Sequence, residues 1–207
     1  MERFDMRVHI KVLCMLLACG GLSLNQGCCC FGGRKDAPPV KYDSAPSISL
    51  TPECLNIKKV SVMPFRAASA IIGESVADMF VTEIIREQLY AVVERSQIDK
   101  VLTESEVALA GLTSSKAAEM GSMLGAEAVI IGTVDEYSMV QSHNMHFAAV
   151  GINARMIDCQ TGKVLWSIDL ARRANSTSIT VSEHARGVVR TMVQALRTAL
   201  ANPKSIY

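Results

Sequence analysis

Residues 121–137, GSMLGAEAVIIGTVDEY, constrain the fold more than any other stretch, because a helical pattern stops at a glycine and a strand begins at once. Ala117, Met120 or Gly121, and Leu124 fall on one helix face, and Gly125 suits the left-handed residue that closes such a helix. From Ala128 to Ile131 both parities are apolar. Neither face of that strand can look at water, so it belongs inside a sheet covered on both sides.

The other elements arrange themselves around this one. KKVSVMPF at residues 58–65 predicts a first strand, ended by Pro64. Val76, Phe80 and Ile84, flanked by Ala77, Val81 and Ile85, mark the core stripe of a helix over residues 73–89. Residues 90–94 form a second short strand, and Ser96 caps a helix over residues 98–106. The cluster Thr113 to Ser115 starts the helix that Gly125 ends, and the strand after it runs to Val140. A polar turn, QSHNM at residues 141–145, leads to an alternating strand over 148–156. Thr161 and Gly162 turn the chain into a partner strand over 164–170. The last helix, Val181–Ala201, is stopped by Asn202 and Pro203. The order β-α-β-α-α-β-β-β-α predicts an α/β or α+β fold with one mixed, roughly five-stranded sheet, parallel early and closed by a C-terminal hairpin.

The N-terminus is of another kind. Arg3, Arg7 and Lys11 precede VLCMLLACGGLSL, an apolar run over residues 12–24. It falls short of the ~20 residues of a spanning helix and has the length of a secretory core, so residues 1–27 read as an export signal. LNQGC places Leu24 and Gly27 ahead of Cys28, similar to the lipobox where a bacterial lipoprotein is cut and acylated, although Asn25 stands where an aliphatic residue is usual. LLAC, ending at Cys19, matches the residue pattern better but leaves too short an apolar run after Lys11. Cys28 is therefore the preferred lipidation site, Cys19 the alternative, and a soluble secreted protein cut nearby the third option. Residues 28–52, with Gly32, Gly33, Pro38, Pro39 and Pro46, read as the lipidated N-terminus and a flexible tether, and residues 53–207 as the globular domain.

Cys28, Cys29 and Cys30 are adjacent and cannot close a four-ligand site, and no Cys/His pair at zinc spacing follows, so no metal is expected. Export permits a disulfide between Cys54 and Cys159, though two separate thiols fit as well. Without residues 1–27 the chain carries 18 basic and 18 acidic residues. That neutral balance, with only 5% aromatic residues, offers no footprint for nucleic acid.

Motifs for chemistry are few. GxGxxG, GxxxxGK[ST] and GxSxG are all missing, so no cofactor is expected. His143 and His146 lie in the polar turn without a nearby partner, which suits a solvated loop better than a metal site or a hydrolase built with Asp135. Asp135 and Glu136, adjacent in a strand, should point to opposite faces. His184, near a helix start, reads as a surface residue. Arg186, Arg190 and Arg197 share a helical stripe; beyond Ala171 six basic residues face Glu183 alone, whereas residues 73–124 hold nine acidic and four basic. The stripe is a candidate interaction face for a partner or for a second copy set head to tail, and two solvated faces of one domain is the plainer reading.

VSVMPF at residues 60–65, VVER at 92–95, LGAEAVIIGTV at 124–134 and NARMIDCQTGKVL at 153–165, in this order behind a lipoprotein-like signal, resemble the CsgG family. That family includes the curli secretion lipoprotein and a periplasmic activator of penicillin-binding proteins. The resemblance implies a domain held by an N-terminal lipid at the periplasmic face of the outer membrane. It also implies work by contact with a cell-envelope protein or as a homo-oligomer, with no catalytic residues to carry over. A curli-type pore needs added hairpins with strands of ~9–11 residues, and neither QSHNMH nor ARRANSTSIT leaves room for one. The short tether, likewise, is poorly suited to an activator that must cross the periplasm. The expectation is a non-enzymatic lipoprotein of envelope assembly or secretion; an export-ring subunit is the alternative, and a penicillin-binding-protein activator ranks below both.

Overall fold

A computed structural model describes residues 45–93 and 113–202. The expected export signal, both candidate lipidation cysteines, most of the expected tether and the helix expected over residues 98–106 lie outside the described residues. The strands are β1 (Ser47–Leu50), β2 (Lys59–Val62), β3 (Ala91–Val92), β4 (Ala128–Ser142), β5 (Met145–Asp158) and β6 (Val164–Arg173), and the helices are α1 (Ala70–Arg86), α2 (Ser114–Met123) and α3 (Val181–Ala201). One mixed sheet runs β1-β6-β5-β4-β2-β3. β2 lies parallel to β3 and β4, and the remaining pairs are antiparallel. The fold is α+β, with six strands where about five were expected.

The added strand is β1, formed by residues assigned to the tether. Ser47 to Leu50 pair with Asp169 to Trp166, and the alternation of Ile48 and Leu50 is enough to seat a strand beside β6. So short a run is invisible to periodicity, because four residues give the pattern only two repeats.

The apolar run in β4 behaves as its composition demands. Ile130 packs in the larger core, with Phe80 and Ile84 of α1, Val188, Met192 and Leu196 of α3, and Ile152, Met156 and Trp166 of the sheet. Val129 and Ile131 point the other way, toward Ala117 and Met120 of α2. Helix α1 begins at Ala70, earlier than its apolar stripe suggested, because the Ser69 hydroxyl accepts from the Ile72 N–H at 3.4 Å. Gly73 lets α1 lie directly on the carbonyl of Phe65, where a Cβ would collide with that oxygen.

Two helices close in the same way. After α2, the Ala126 N–H reaches the Gly121 carbonyl and the Gly125 N–H the Ser122 carbonyl, with Gly125 at φ +65°. After α1, Leu89 reaches Ile84 and Gln88 reaches Ile85, with Gln88 at φ 55°. Both are the six-to-one, five-to-two closure of a helix by a left-handed residue. Sequence reading finds the first, where the residue is glycine, and overruns the second.

Candidate functional site

Among the described residues no group of three His, Cys, Asp or Glu could hold a metal ion, and no helix is long and apolar enough to cross a membrane. Cys54 lies in the core between the sheet and α1 and α3, whereas Cys159 lies with α2 on the other side, and both thiols are free. Burial pushes the Cys54 thiol up; burial, aided by the charge of Asp158, pushes Cys159 up to about 11. Both are protonated near neutrality and suited to packing more than to reaction. His184 is tied inward, its Nε2 2.9 Å from the Arg172 carbonyl oxygen.

Asp135 and Glu136 depart from the strict alternation expected of a strand. The β4–β5 register shifts between Val134 and Glu136, so Asp135 is the extra residue of a bulge. The Thr133 hydroxyl donates to Asp135 at 3.1 Å and the Ser138 hydroxyl to Glu136 at 3.4 Å. Thr133 and Ser138 pair with Asn153 and Ala149, which share one face of β5. Both carboxylates are thus drawn to the same side of the sheet, away from α1 and α3.

The arginine stripe meets acid within its own chain. Arg190 Nε lies 3.5 Å from Glu83 Oε1, and Arg197 donates to Glu87 Oε2 at 2.9 Å. Arg86 adds a second contact to each carboxylate. Loss of solvent raises the pKa of Glu87, but hydrogen bonds from Arg197 and Gln194 outweigh this and hold it below the usual carboxylate range. The acidic helix and the basic helix of the sequence are therefore α1 and α3, packed side by side. Arg186 is exposed on the same helix as Arg190 and Arg197.

Among the described residues, the β4–β5 hairpin leaves backbone groups without a strand partner. QSHNM is not a loop: β4 continues through Ser142 and β5 starts at Met145. The turn is the pair His143 and Asn144, at φ 49° and 60°, which is the signature of a type I′ hairpin. His146 therefore stands in a strand opposite Gln141, while His143 in the turn has its Nδ1 3.2 Å from the Ser142 hydroxyl. On one side β6 accompanies β5 only as far as Ala149, opposite Arg173. On the other, the chain of β2 last touches β4 where Arg66 bridges Thr133. Past these limits the Ala174 N–H still reaches the Ala148 carbonyl, but no strand among the described residues flanks the pair, and Met139 is 44% and Met145 50% exposed. The guanidinium of Arg173 sits 5.0 Å from the Phe147 ring at the base of the projection.

The model of the family described as "Curli production assembly/transport component CsgG" matches residues 54–196. The chain belongs to the CsgG family. Among solved structures, the PelC dodecamer from Paraburkholderia phytofirmans is similar at TM-score 0.54 and 17% identity, over 74% of this chain and 96% of that one. Lipoprotein GNA1162 from Neisseria meningitidis follows at TM-score 0.47 and 22% identity, over 70% and 99%. The LpoB C-terminal domain from Salmonella enterica has TM-score 0.41 and 16% identity, over 56% and 83%. At these identities the PelC likeness speaks for the fold alone. No curated protein matches the sequence. Within the CsgG family match lie α1, α2, the whole β4–β5 hairpin and most of α3.

Proposed function

We propose that this CsgG-family chain is a non-enzymatic lipoprotein of the cell envelope. In this reading it is anchored through Cys28 at the periplasmic face of the outer membrane and acts by protein contact in assembly or secretion. One observation carries the contact role: a hairpin of 15- and 14-residue strands extends beyond its neighbours and presents Met139 and Met145 at its exposed end. Methionines exposed on a stiff projection serve binding better than solubility. The export signal and the Leu24 to Cys28 motif support the anchor.

The anchor is tested by metabolic labelling with palmitate and by membrane fractionation. Cys28→Ala should leave an uncleaved, unlabelled precursor; normal processing and labelling of that variant would move the site to Cys19, and a soluble, unlabelled wild type would end the anchor reading. A second reading, a subunit of an export ring, is favoured by the dodecamer of the similar PelC. Against a curli-type pore, only residues 145–148 of β5 extend past the last β6 pair, fewer than the ~9–11 residues of a spanning strand.

A further inference from the structure

The outer edge of β4 beyond the bulge is a hydrogen-bonding template with its own stops. In a two-residue hairpin the closing pair, here Ser142 and Met145, exchanges hydrogen bonds, and every second pair below it does the same. Ser142, Val140 and Ser138 thus spend their backbone groups on β5. Tyr137, Met139 and Gln141 turn theirs outward, and among the described residues no strand takes them up. Natural edges of this kind are blunted by charged side chains, lysine above all, by proline, by a bulge or by a cover, and here the bulge at Asp135 lies just before the open interval. Residues 136–142, EYSMVQS, contain neither lysine nor proline.

We propose that this edge pairs antiparallel with the same edge of a second copy, about a two-fold axis through Met139. The register follows from the limits of the edge. It is closed at one end by Arg66, which bridges Thr133 and accepts from the Val134 N–H at 2.7 Å, and at the other by the turn at His143. A partner strand running the opposite way fills that interval once, with Met139 opposite itself, Tyr137 opposite Gln141 and Ser138 opposite Val140. All three outward residues then find backbone partners, because a residue on the axis and those two places away are the ones that face the gap. The side chains agree with the backbone: Glu136 falls opposite Ser142, so no like charges meet, and the two exposed Met139 side chains cover each other. The result is a run of eight strands across the axis, β1-β6-β5-β4 of each copy, with β2 and β3 of each copy beside the base of its own β4, in a closed isologous dimer and not a head-to-tail ring. The inference stands on the hairpin alone and does not depend on the lipid anchor.

The test uses the full chain, purified from membranes in detergent and weighed by native mass spectrometry. Wild type should be dimeric. Met139→Lys and Met139→Glu should each be monomeric, since each sets like charges across the axis, and mixing the two should restore a heterodimer at least tenfold more populated than either homodimer. Met139→Pro should also be monomeric, with the same thermal melt as the monomeric Met139→Lys, because it removes an N–H that faces outward and leaves the β4–β5 ladder intact. A monomeric wild type, an oligomer indifferent to Met139→Lys, or open chains longer than two would each overturn the proposal, as would capture of a different protein at this edge. Failure of the charge-swapped pair to associate would rule out the two-fold register.

Discussion

Glu83 should couple Arg86 and Arg190 strongly, because it is a buried carboxylate shared by two half-exposed cations. Its side chain is 8% exposed, against 41% for Arg86 and 53% for Arg190. At the 3.5 Å separation of Arg190, an effective dielectric near 20 gives a gross attraction of ~5 kcal/mol. Solvation of the guanidinium and the entropy of holding it cut such a half-exposed pair to ~1 kcal/mol or less. Arg190→Ala or Arg86→Ala alone should therefore cost about 1 kcal/mol, since the other arginine still answers the carboxylate. Removing both strands a charge inside the protein and should cost about 3–5 kcal/mol. The coupling is the excess, on the order of 2 kcal/mol. Urea unfolding can read it through Trp166, the single tryptophan, which is 1% exposed. Costs that add within ~0.5 kcal/mol would refute the shared-carboxylate account. So would an undiminished penalty for the double change in a Glu83→Leu background, where no charge remains to strand.

Gly125→Ala should cost about 1 kcal/mol through backbone conformation alone, because φ is +65° and the nearest atom to an added Cβ is Lys59 Nζ at 3.8 Å. Gln88→Gly, at φ 55° in the same kind of helix closure, should stabilise by up to ~1 kcal/mol; chemical denaturation of both variants checks the pair, and equal signs would contradict it. Burial raises the Asp158 carboxyl, but donation from the Thr161 N–H and hydroxyl and the Gln160 N–H outweighs it and lowers the pKa. Its contribution is then fully present above the unfolded value of ~3.9 and is lost as pH falls through the lower folded value. Asp158→Asn should reduce Tm at pH 7, and the gap to wild type should shrink below pH ~4. Cys159, at about 11, should react with maleimide at neutral pH at least tenfold more slowly in the folded protein than in urea; equal rates would show a thiol that burial does not protect.

Much of the fold was readable because its signals are local and repeated. Val76, Phe80 and Ile84 in α1, and Val188, Met192 and Leu196 in α3, mark helix faces over several turns, and the structure buries all six. Gly125 announced a helix end by its chemistry. The misses share a cause, which is that the deciding interaction was distant or lacked its usual residue. β1 exists because β6 offers an edge to Ile48 and Leu50. Gln88 takes a left-handed conformation without being glycine or asparagine. The arginine stripe was visible as a stripe, but that Arg190 and Arg197 meet Glu83 and Glu87 depends on α1 packing beside α3, which the helix periodicities alone do not determine.

The hairpin shows the same limit at the place where the chain meets its surroundings. Its outer strands read QSHNMH, polar enough to pass for a loop, because residues that face solvent on both sides carry no period-2 signal. What keeps them in strands is the ladder from Glu136 with Gly151 to Ser142 with Met145, closed by two residues in the left-handed region. The bulge at Asp135 decides which side chains the projection presents where. Before it, Ile130 and Val134 face α1 and α3; after it, Tyr137 opposite Val150 keeps that face, although an odd residue would have pointed away in an unbroken strand. A single inserted residue thus carries the apolar face of the core outward to Met139, beyond the reach of either helix. That is why an exposed methionine stands on this stretch of β4, where among the described residues the outward backbone groups of Tyr137, Met139 and Gln141 meet no strand.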